Sequence, residues 1–250
     1  MHPFSVVIIA RNEAHDIGRT LEPLRALTDD IVVVDSGSTD GTQDIARSMG
    51  ARVIETEWLG YARTKNLGND AARHDWVLSL DADEVVSPEL ARSLQAWQPR
   101  PDTAWAVDRL ANFCGRWVWH SGWYPDWKVR LFNRHEVRWV GEYVHEHLDL
   151  PAHYRVERLH GKLWHYSYRS EADYLAKMEQ YTRLSAEERF RRGQRPVWWR
   201  KHLGPAFRIF RTLVLKQGWR DGRLGWKLAR LDARMVRRRY ELLEEMWRMA

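Results

Sequence analysis

An α/β domain built on a parallel sheet, followed by a mainly helical basic region, is the fold this 250-residue sequence predicts. Three observations carry it. Short, continuously apolar runs alternate with amphipathic segments over residues 4–97. Acids and turn formers collect where the apolar runs end. Beyond residue 169, helical spacing and basic residues take over.

The elements follow in order. "FSVVIIA" is apolar at consecutive positions, the pattern of a strand buried on both faces. Ile17, Leu21, Leu24 and Leu27 then mark one helical face. "DIVVVD" is a second buried strand, followed by the turn-rich "SGSTDGT" and the helix "QDIARSMG". "ARVIET", "YARTKNLGNDAA" and "DWVLSL" give a third strand, a third helix and a fourth strand. Ser87, Pro88 and Glu89 supply an N-cap, a proline at the first helical position and an early acid. "TAWAVDRLANF" and "WKVRLFNR" read as later strands. From Ser170, whose spacing to Asp173 resembles a capping box, Tyr174, Met178, Tyr181 and Leu184 continue a helical stripe. The expected division is a first domain over 1–168 and a helical region over 169–250.

Composition narrows the partners. Fifteen tryptophans and a net charge of +6 suit an anionic partner, either nucleic acid or an acidic membrane surface. Helix-turn-helix, RNA-binding sheet and zinc-finger patterns are lacking, so nucleic acid is not the expected partner. A single cysteine, Cys114, excludes an internal disulfide framework and a multi-cysteine zinc site; an inert small hydrophobe in a reducing compartment is expected. The N-terminus enters an apolar strand at once, without the marks of a signal peptide. Apolar runs stay short of the ~18 residues a membrane span needs. The expected location is the cytoplasm, at the inner face of the plasma membrane.

Ligands of such sheets sit beyond the carboxyl ends of the strands. The first strand ends in Arg11, Asn12 and Glu13, the second in Asp35, Ser36, Gly37 and Ser38, and the fourth in Asp81, Ala82 and Asp83. Any one tip reads as a solvated turn; three acid-bearing tips on one edge mark a site. Asp-x-Asp at a strand end brings two carboxylates near one locus, as hard oxygen ligands for Mg²⁺ or Mn²⁺. Such a metal neutralises charge on a diphosphate leaving group. Neither Gly-x-Gly-x-x-Gly after the first strand nor a Gly-Lys-Ser/Thr loop is present, so dinucleotide and P-loop cradles are excluded. Asp35 can instead accept hydrogen bonds from a base, while Arg63 or Lys65 can reach a diphosphate.

"SVVIIARNEAHDIGRTLEPL", "DDIVVVDSGSTDGTQDIARSMGARVIE" and "VLSLDADE" resemble the GT-A catalytic domain of family 2 glycosyltransferases. "GYARTKNLGNDAA", "GWYPDWKVRLFNR", "YVHEHL" and "GWRDGRLGW" extend the likeness, toward lipopolysaccharide-core glucosyltransferases of the WaaE/KdtX type. The resemblance implies inverting transfer of a hexose, from UDP-glucose and with Mn²⁺ or Mg²⁺, to an inner-core sugar of a lipid-linked acceptor. By position, Ala10, Arg11, Asn12, Glu13, Asp35 and Ser36 would line the uridine pocket. Lys65 and Asn66 would lie near the nucleotide or diphosphate, and Asp81 and Ala82 near the ribose and metal. Asp83 is the expected direct metal ligand, with Glu84 orienting the loop.

Inversion needs a general base to take the acceptor proton, a role for a carboxylate. The Glu-Asp pair that many family members carry well after the Asp-x-Asp is lacking here. Glu146 in "YVHEHL" and Asp126 in "YPDW" are the candidates, Asp126 also reading as a turn residue after proline. His165 is a third candidate metal ligand or a packed core residue; His145, His147 and His160 carry less. Trp117, Trp119, Trp123 and Trp127 either line the sugar or acceptor cleft or pack the core.

In the C-terminal third, Trp198, Trp199, Phe207 and Phe210 interleave with Arg200, Lys201, Arg208, Arg211 and Lys216. That pattern suits an anionic headgroup region. It equally suits an amphipathic helix packed on the domain with its basic face in water. Two other readings stay open: the same fold acting on a polysaccharide or protein acceptor, and a basic adaptor with a degenerate site.

Overall fold

The computed structural model describes residues 2–141 and 146–250. The chain forms β1 (Ser5–Ala10), α1 (Ile17–Leu21), β2 (Ile31–Asp35), α2 (Thr42–Ser48), β3 (Arg52–Glu55), α3 (Tyr61–Ala71) and β4 (Trp76–Asp81). It continues through β5 (Glu84–Val86), α4 (Pro88–Ala96), β6 (Thr103–Phe113), β7 (Arg116–Trp117), β8 (Trp127–Asn133), β9 (Arg138–Val140), β10 (His147–Asp149) and β11 (Arg155–Tyr168). The helices α5 (Glu171–Arg191), α6 (Trp198–His202), α7 (Gly204–Phe210) and α8 (Arg223–Met249) complete it.

Two compact units result: Met1–Arg109 with Asp126–His165, and Leu110–Pro125 with Tyr166–Ala250. The second unit therefore takes in residues 110–125, which the sequence reading assigns to the first. The reason is packing: Phe113 and Val118 are buried in one apolar cluster with Tyr174, Leu224, Leu228 and Leu231.

The main sheet runs β3-β2-β1-β4-β8-β6-β11-β5. β1, β2, β3 and β4 are parallel, as consecutive apolar runs joined by helices require. The expectation of a parallel sheet holds only for these four. β8 lies antiparallel to both β4 and β6, and β11 antiparallel to β5, so the whole sheet is mixed. Between β6 and β8 there is no helix, and a parallel return needs a long crossover. β9 and β10 form a separate two-stranded sheet.

Alternation along the strands sorts the helices onto two faces. Val6, Ile8, Val33, Leu78 and Leu80 pack with Ile17, Leu21, Leu24, Ala46, Leu90 and Leu94 of the α1, α2 and α4 side. Val7, Val32, Val34 and Val77 face the other way, against Leu67, Ala71 and Ala72 on and beside α3. Part of the tryptophan content is core: Trp76, Trp97 and Trp105 meet edge-to-face at 5.1–5.3 Å.

In the second unit, α5 and α7 pack along α8. The capping box at α5 is complete, Ser170 Oγ accepting from the Asp173 N–H and Asp173 Oδ2 from the Ser170 N–H. "GWRDGRLGW" is a structural knot. Asp221 accepts from the N–H groups of Trp119 and His120 and from the Ser121 hydroxyl, at 2.7–3.1 Å. A Cβ on Gly225 would stand 1.8 Å from the Gly218 carbonyl oxygen, so the crossing tolerates no side chain there. Cys114 sits against this unit's apolar cluster, and burial raises its thiol pKa.

Candidate active site

The tips of β1, β2 and β4 stand side by side because the strands are in parallel register, with Ala10 opposite Asp35 and Ile9 opposite Asp81. Ala10, Asp35 and Ser36 are buried there, and Ser36 N–H donates to the Ala10 carbonyl. Asn12 turns the chain with φ +57°, a conformation Asn adopts more readily than most residues. Its N–H donates to Ser38 Oγ and its side-chain oxygen accepts from the Thr39 N–H. The Glu13 N–H donates to Thr42 Oγ1. Asp35, fully buried, accepts from the Ser38 N–H at 2.9 Å, the Gln43 amide at 2.6 Å and the Ser38 hydroxyl. Of about four lone-pair sites on a carboxylate, these donors take three. Arg11 and Arg63 are exposed.

The β4 tip answers why three acids crowd one loop: they have different partners. Glu84 is fully buried, where a lone carboxylate would be costly. It accepts from Arg130 at 2.5 Å, from Arg109 at 3.2 Å and, through its other oxygen, from the Asp81 N–H at 3.0 Å. Asp81 pairs with Arg130 at 2.8 Å and with Lys65 at 3.3 Å. Burial opposes its ionised form, but Arg130 and Lys65 prevail and hold its carboxyl well below the usual carboxylate range. Asp83 meets His165 instead, Oδ2 to Nε2, at 3.2 Å. The β11–β5 register, His165 opposite Glu84, brings that imidazole to the loop. The carbonyl of buried Ala82, between the two aspartates, accepts from the Thr20 hydroxyl.

Further partners extend the charge row. Lys65 lies 3.7 Å from Glu146 and 4.3 Å from the Trp139 ring centroid. Arg109 grips Asp126 through Nε and Nη2 at 2.9 and 2.7 Å, and Lys128 adds a contact at 3.0 Å. Burial raises the Asp126 pKa, yet Arg109 and Lys128 bring the net shift below the ordinary value. From Lys128 to Glu146 the charges alternate: Lys128, Asp126, Arg109, Glu84, Arg130, Asp81, Lys65, Glu146. Asp83 pairs with His165, whose imidazole also helps to lower the pKa of Asp81 in this row.

Among the described residues no cluster of three or more His, Cys, Asp or Glu could hold a metal alone. Two protein donors plus diphosphate oxygens nevertheless form a suitable set, since Mg²⁺ is often held by one or two carboxylates and substrate phosphates. Asp83 supplies such a carboxylate and His165 adds an imidazole nitrogen, a softer donor than Mg²⁺ prefers, while Asp81 is neutralised by its two cations.

Other expected residues have partners of their own. Asn66 clamps α3 to β9: its amide donates to the Trp139 carbonyl at 2.8 Å and accepts from the Trp139 N–H at 3.1 Å. Trp123 stacks on Tyr174 and Trp117 meets Tyr166, both within the second unit, whereas Trp127 lies under Arg158 in the first. His160 is exposed, and its carbonyl accepts from Ser93. His147 lies in β10, and His145 falls outside the described residues. Arg109 and Arg130 escape the sequence reading, although an arginine in mid-strand, as in "WKVRLFNR", already demands a buried acid.

Residues 5–157 match the family model for glycosyl transferase family 2. The chain is 28% identical over 229 residues to an uncharacterized glycosyltransferase of Rickettsia bellii, covering 78% of this chain and 73% of that one. Identity reaches 41% over 95 residues with an uncharacterized glycosyltransferase of Rickettsia prowazekii, covering 38% here but only 32% there. Similarity to the lipopolysaccharide core biosynthesis glycosyltransferase LpsC of Rhizobium meliloti is 27% over 232 residues, covering 90% and 85%. Among solved structures, glucosyl-3-phosphoglycerate synthase of Mycobacterium tuberculosis, crystallised with Mn²⁺, UDP and glucosyl-3-phosphoglycerate, is 24% identical. It covers 44% of each chain at a TM-score of 0.38.

Proposed function

The chain belongs to glycosyl transferase family 2, and from that premise we propose that it transfers glucose from UDP-glucose, with inversion, to an inner-core sugar of lipopolysaccharide or a similar lipid-linked acceptor. The observation that carries the donor half is the Asp83–His165 pair at 3.2 Å, at the tip of β4 beside the charge row. LpsC, alike over 90% of this chain, supports the acceptor half. Bound Mn²⁺ or Mg²⁺ supplies Lewis-acid neutralisation of the departing diphosphate.

The protein's own groups do the rest. Asp83 and His165 are the ligands, and the buried tips of β1 and β2 receive the uridine. Lys65, close to Asp81 and Glu146, adds positive charge beside the diphosphate. Glu146 takes the proton of the acceptor hydroxyl as that oxygen bonds to the anomeric carbon and the bond from carbon to the UDP oxygen breaks. Asp126 is the weaker base, because Arg109 and Lys128 occupy its oxygens and favour its ionised form.

A sugar-nucleotide panel with Mn²⁺ or Mg²⁺, read by UDP release with and without extracted core lipid, tests this reading. UDP-glucose with core lipid is expected to give turnover, and Asp83→Ala to abolish it. Release that survives Asp83→Ala, or that ignores a chelator, would overturn it.

A further inference from the structure

The chain from Trp198 to Leu215 is helical almost throughout, α6 and α7 joined at Leu203 in helical conformation and α7 continued by a π turn over Arg211–Leu215. Trp199, Leu203, Phe207, Phe210 and Val214 recur at spacings of 4, 4, 3 and 4. At ~100° per residue they fall within an arc of about 80°. In a water-soluble helix such a stripe faces the core. Here it faces out, with exposures from 49% at Phe210 to 61% at Leu203 and Phe207. The opposite side is the anchored one: Lys201 pairs with Glu244 at 2.6 Å and Arg208 with Asp232 at 2.9 Å, both on α8, and Thr212 is buried. The helix is thus held by Lys201, Arg208, Thr212 and Leu213, and presents its apolar stripe outward. Trp198, Trp219 and Trp226, each more than half exposed, add rings to the same unit.

Charge identifies the occupant. No acidic residue lies between Glu188 and Asp221, whereas Arg200 and Arg211 fall along one flank of the stripe. Arg211 and Lys216 also line a cavity of about 360 Å³ beside Trp123 and Tyr174. We propose that this helix docks the protein on an anionic phospholipid bilayer, with the stripe in the boundary between headgroups and acyl chains and the flanking cations on lipid phosphates. A second copy of the chain fits less well, since it would set one basic, acid-free flank against another. The docking surface deepens the lipid-linked acceptor reading and rests on it for its role, but it shares no residue with the donor site.

Vesicle co-sedimentation of the full chain tests it, with phosphatidylcholine alone and with phosphatidylglycerol added. The chain is expected to bind the mixed vesicles, to blue-shift its tryptophan emission, and to release as salt rises from about 0.1 to about 0.5 M. Phe207→Glu with Phe210→Glu is expected to weaken binding at least ~10-fold. The circular dichroism spectrum and soluble UDP release should be unchanged, and Val156→Glu, at an exposed site in the first unit, should bind as the parent does. Retained UDP release separates failure here from failure of the donor site. Undiminished binding by the double variant, no binding to either vesicle, or a dimer that the double variant splits would overturn the proposal.

Discussion

Arg130 donates to Glu84 across 2.5 Å with both side chains withdrawn from water, and the same guanidinium nitrogen reaches Asp81 at 2.8 Å. The acids at the tip of β4 are thereby divided between a buried brace, which Glu84 and Asp81 share with Arg130, and Asp83, which pairs with His165. Breaking a buried pair from one side leaves a charge uncompensated, at a cost of about 3–5 kcal/mol. Glu84→Leu and Arg130→Met are each expected to lower stability on that scale. Combining Glu84→Leu with Arg130→Met is expected to cost less than the sum of the single changes. Urea unfolding of this cycle measures the coupling, and simple additivity would contradict the brace.

Metal dependence should separate the two aspartates. Asp83→Ala is expected to abolish transfer. His165→Ala is expected to raise the Mn²⁺ concentration for half-maximal rate by about tenfold and to narrow any preference for Mn²⁺ over Mg²⁺, because it removes the nitrogen donor. Titration of UDP release with each metal checks both. Asp81→Asn should instead change stability and donor binding together, through Arg130 and Lys65.

The two base candidates predict different losses. Glu146→Gln is expected to reduce turnover by about 10²–10⁴-fold while UDP affinity stays at the parent value. Asp126→Asn should chiefly weaken folding, by freeing Arg109 from its two-pronged contact. Single-turnover rates beside calorimetric UDP binding distinguish them.

Acid sensitivity should trace to Asp30 at the opposite end of the sheet. It is buried, yet accepts from Ser5 at 2.6 Å, the Arg73 N–H at 2.8 Å and Arg52 at 2.7 and 3.0 Å. Burial raises its pKa, but these donors outweigh burial and the net shift is downward. Its contribution is therefore fully present above the unfolded value of about 3.9 and is lost as pH falls through the lower folded value. Asp30→Asn is expected to lower the unfolding midpoint at pH 7 and to flatten its decline below about pH 4.

Gly68 on α3 touches the sheet so closely that a Cβ would stand 2.4 Å from Val7 Cγ1 and 2.9 Å from Val34 Cγ2. Gly68→Ala is expected to cost about 1–3 kcal/mol by overpacking. Because α3 carries Lys65, UDP affinity should fall with it, as thermal melts with and without UDP would show.

By itself the sequence determined the elements whose cause is local. Consecutive apolar residues specify β1, β2 and β4, four-residue spacing specifies α1, and Ser170 with Asp173 specifies the start of α5, because each signal lies within one or two turns of chain. The site edge was legible for the same reason: parallel strands between helices must end together. Only the tertiary structure decided what each acid does. Glu84 meets Arg130 across 46 residues, and Asp81 meets it across 49. β11 reaches Asp83 through a pairing with β5 that no local pattern signals. The outward stripe on α6 and α7 likewise depends on Asp232 and Glu244 holding the helix's other side. Ionisation and exposure depend on neighbours brought together by folding, and those neighbours are distant in the chain.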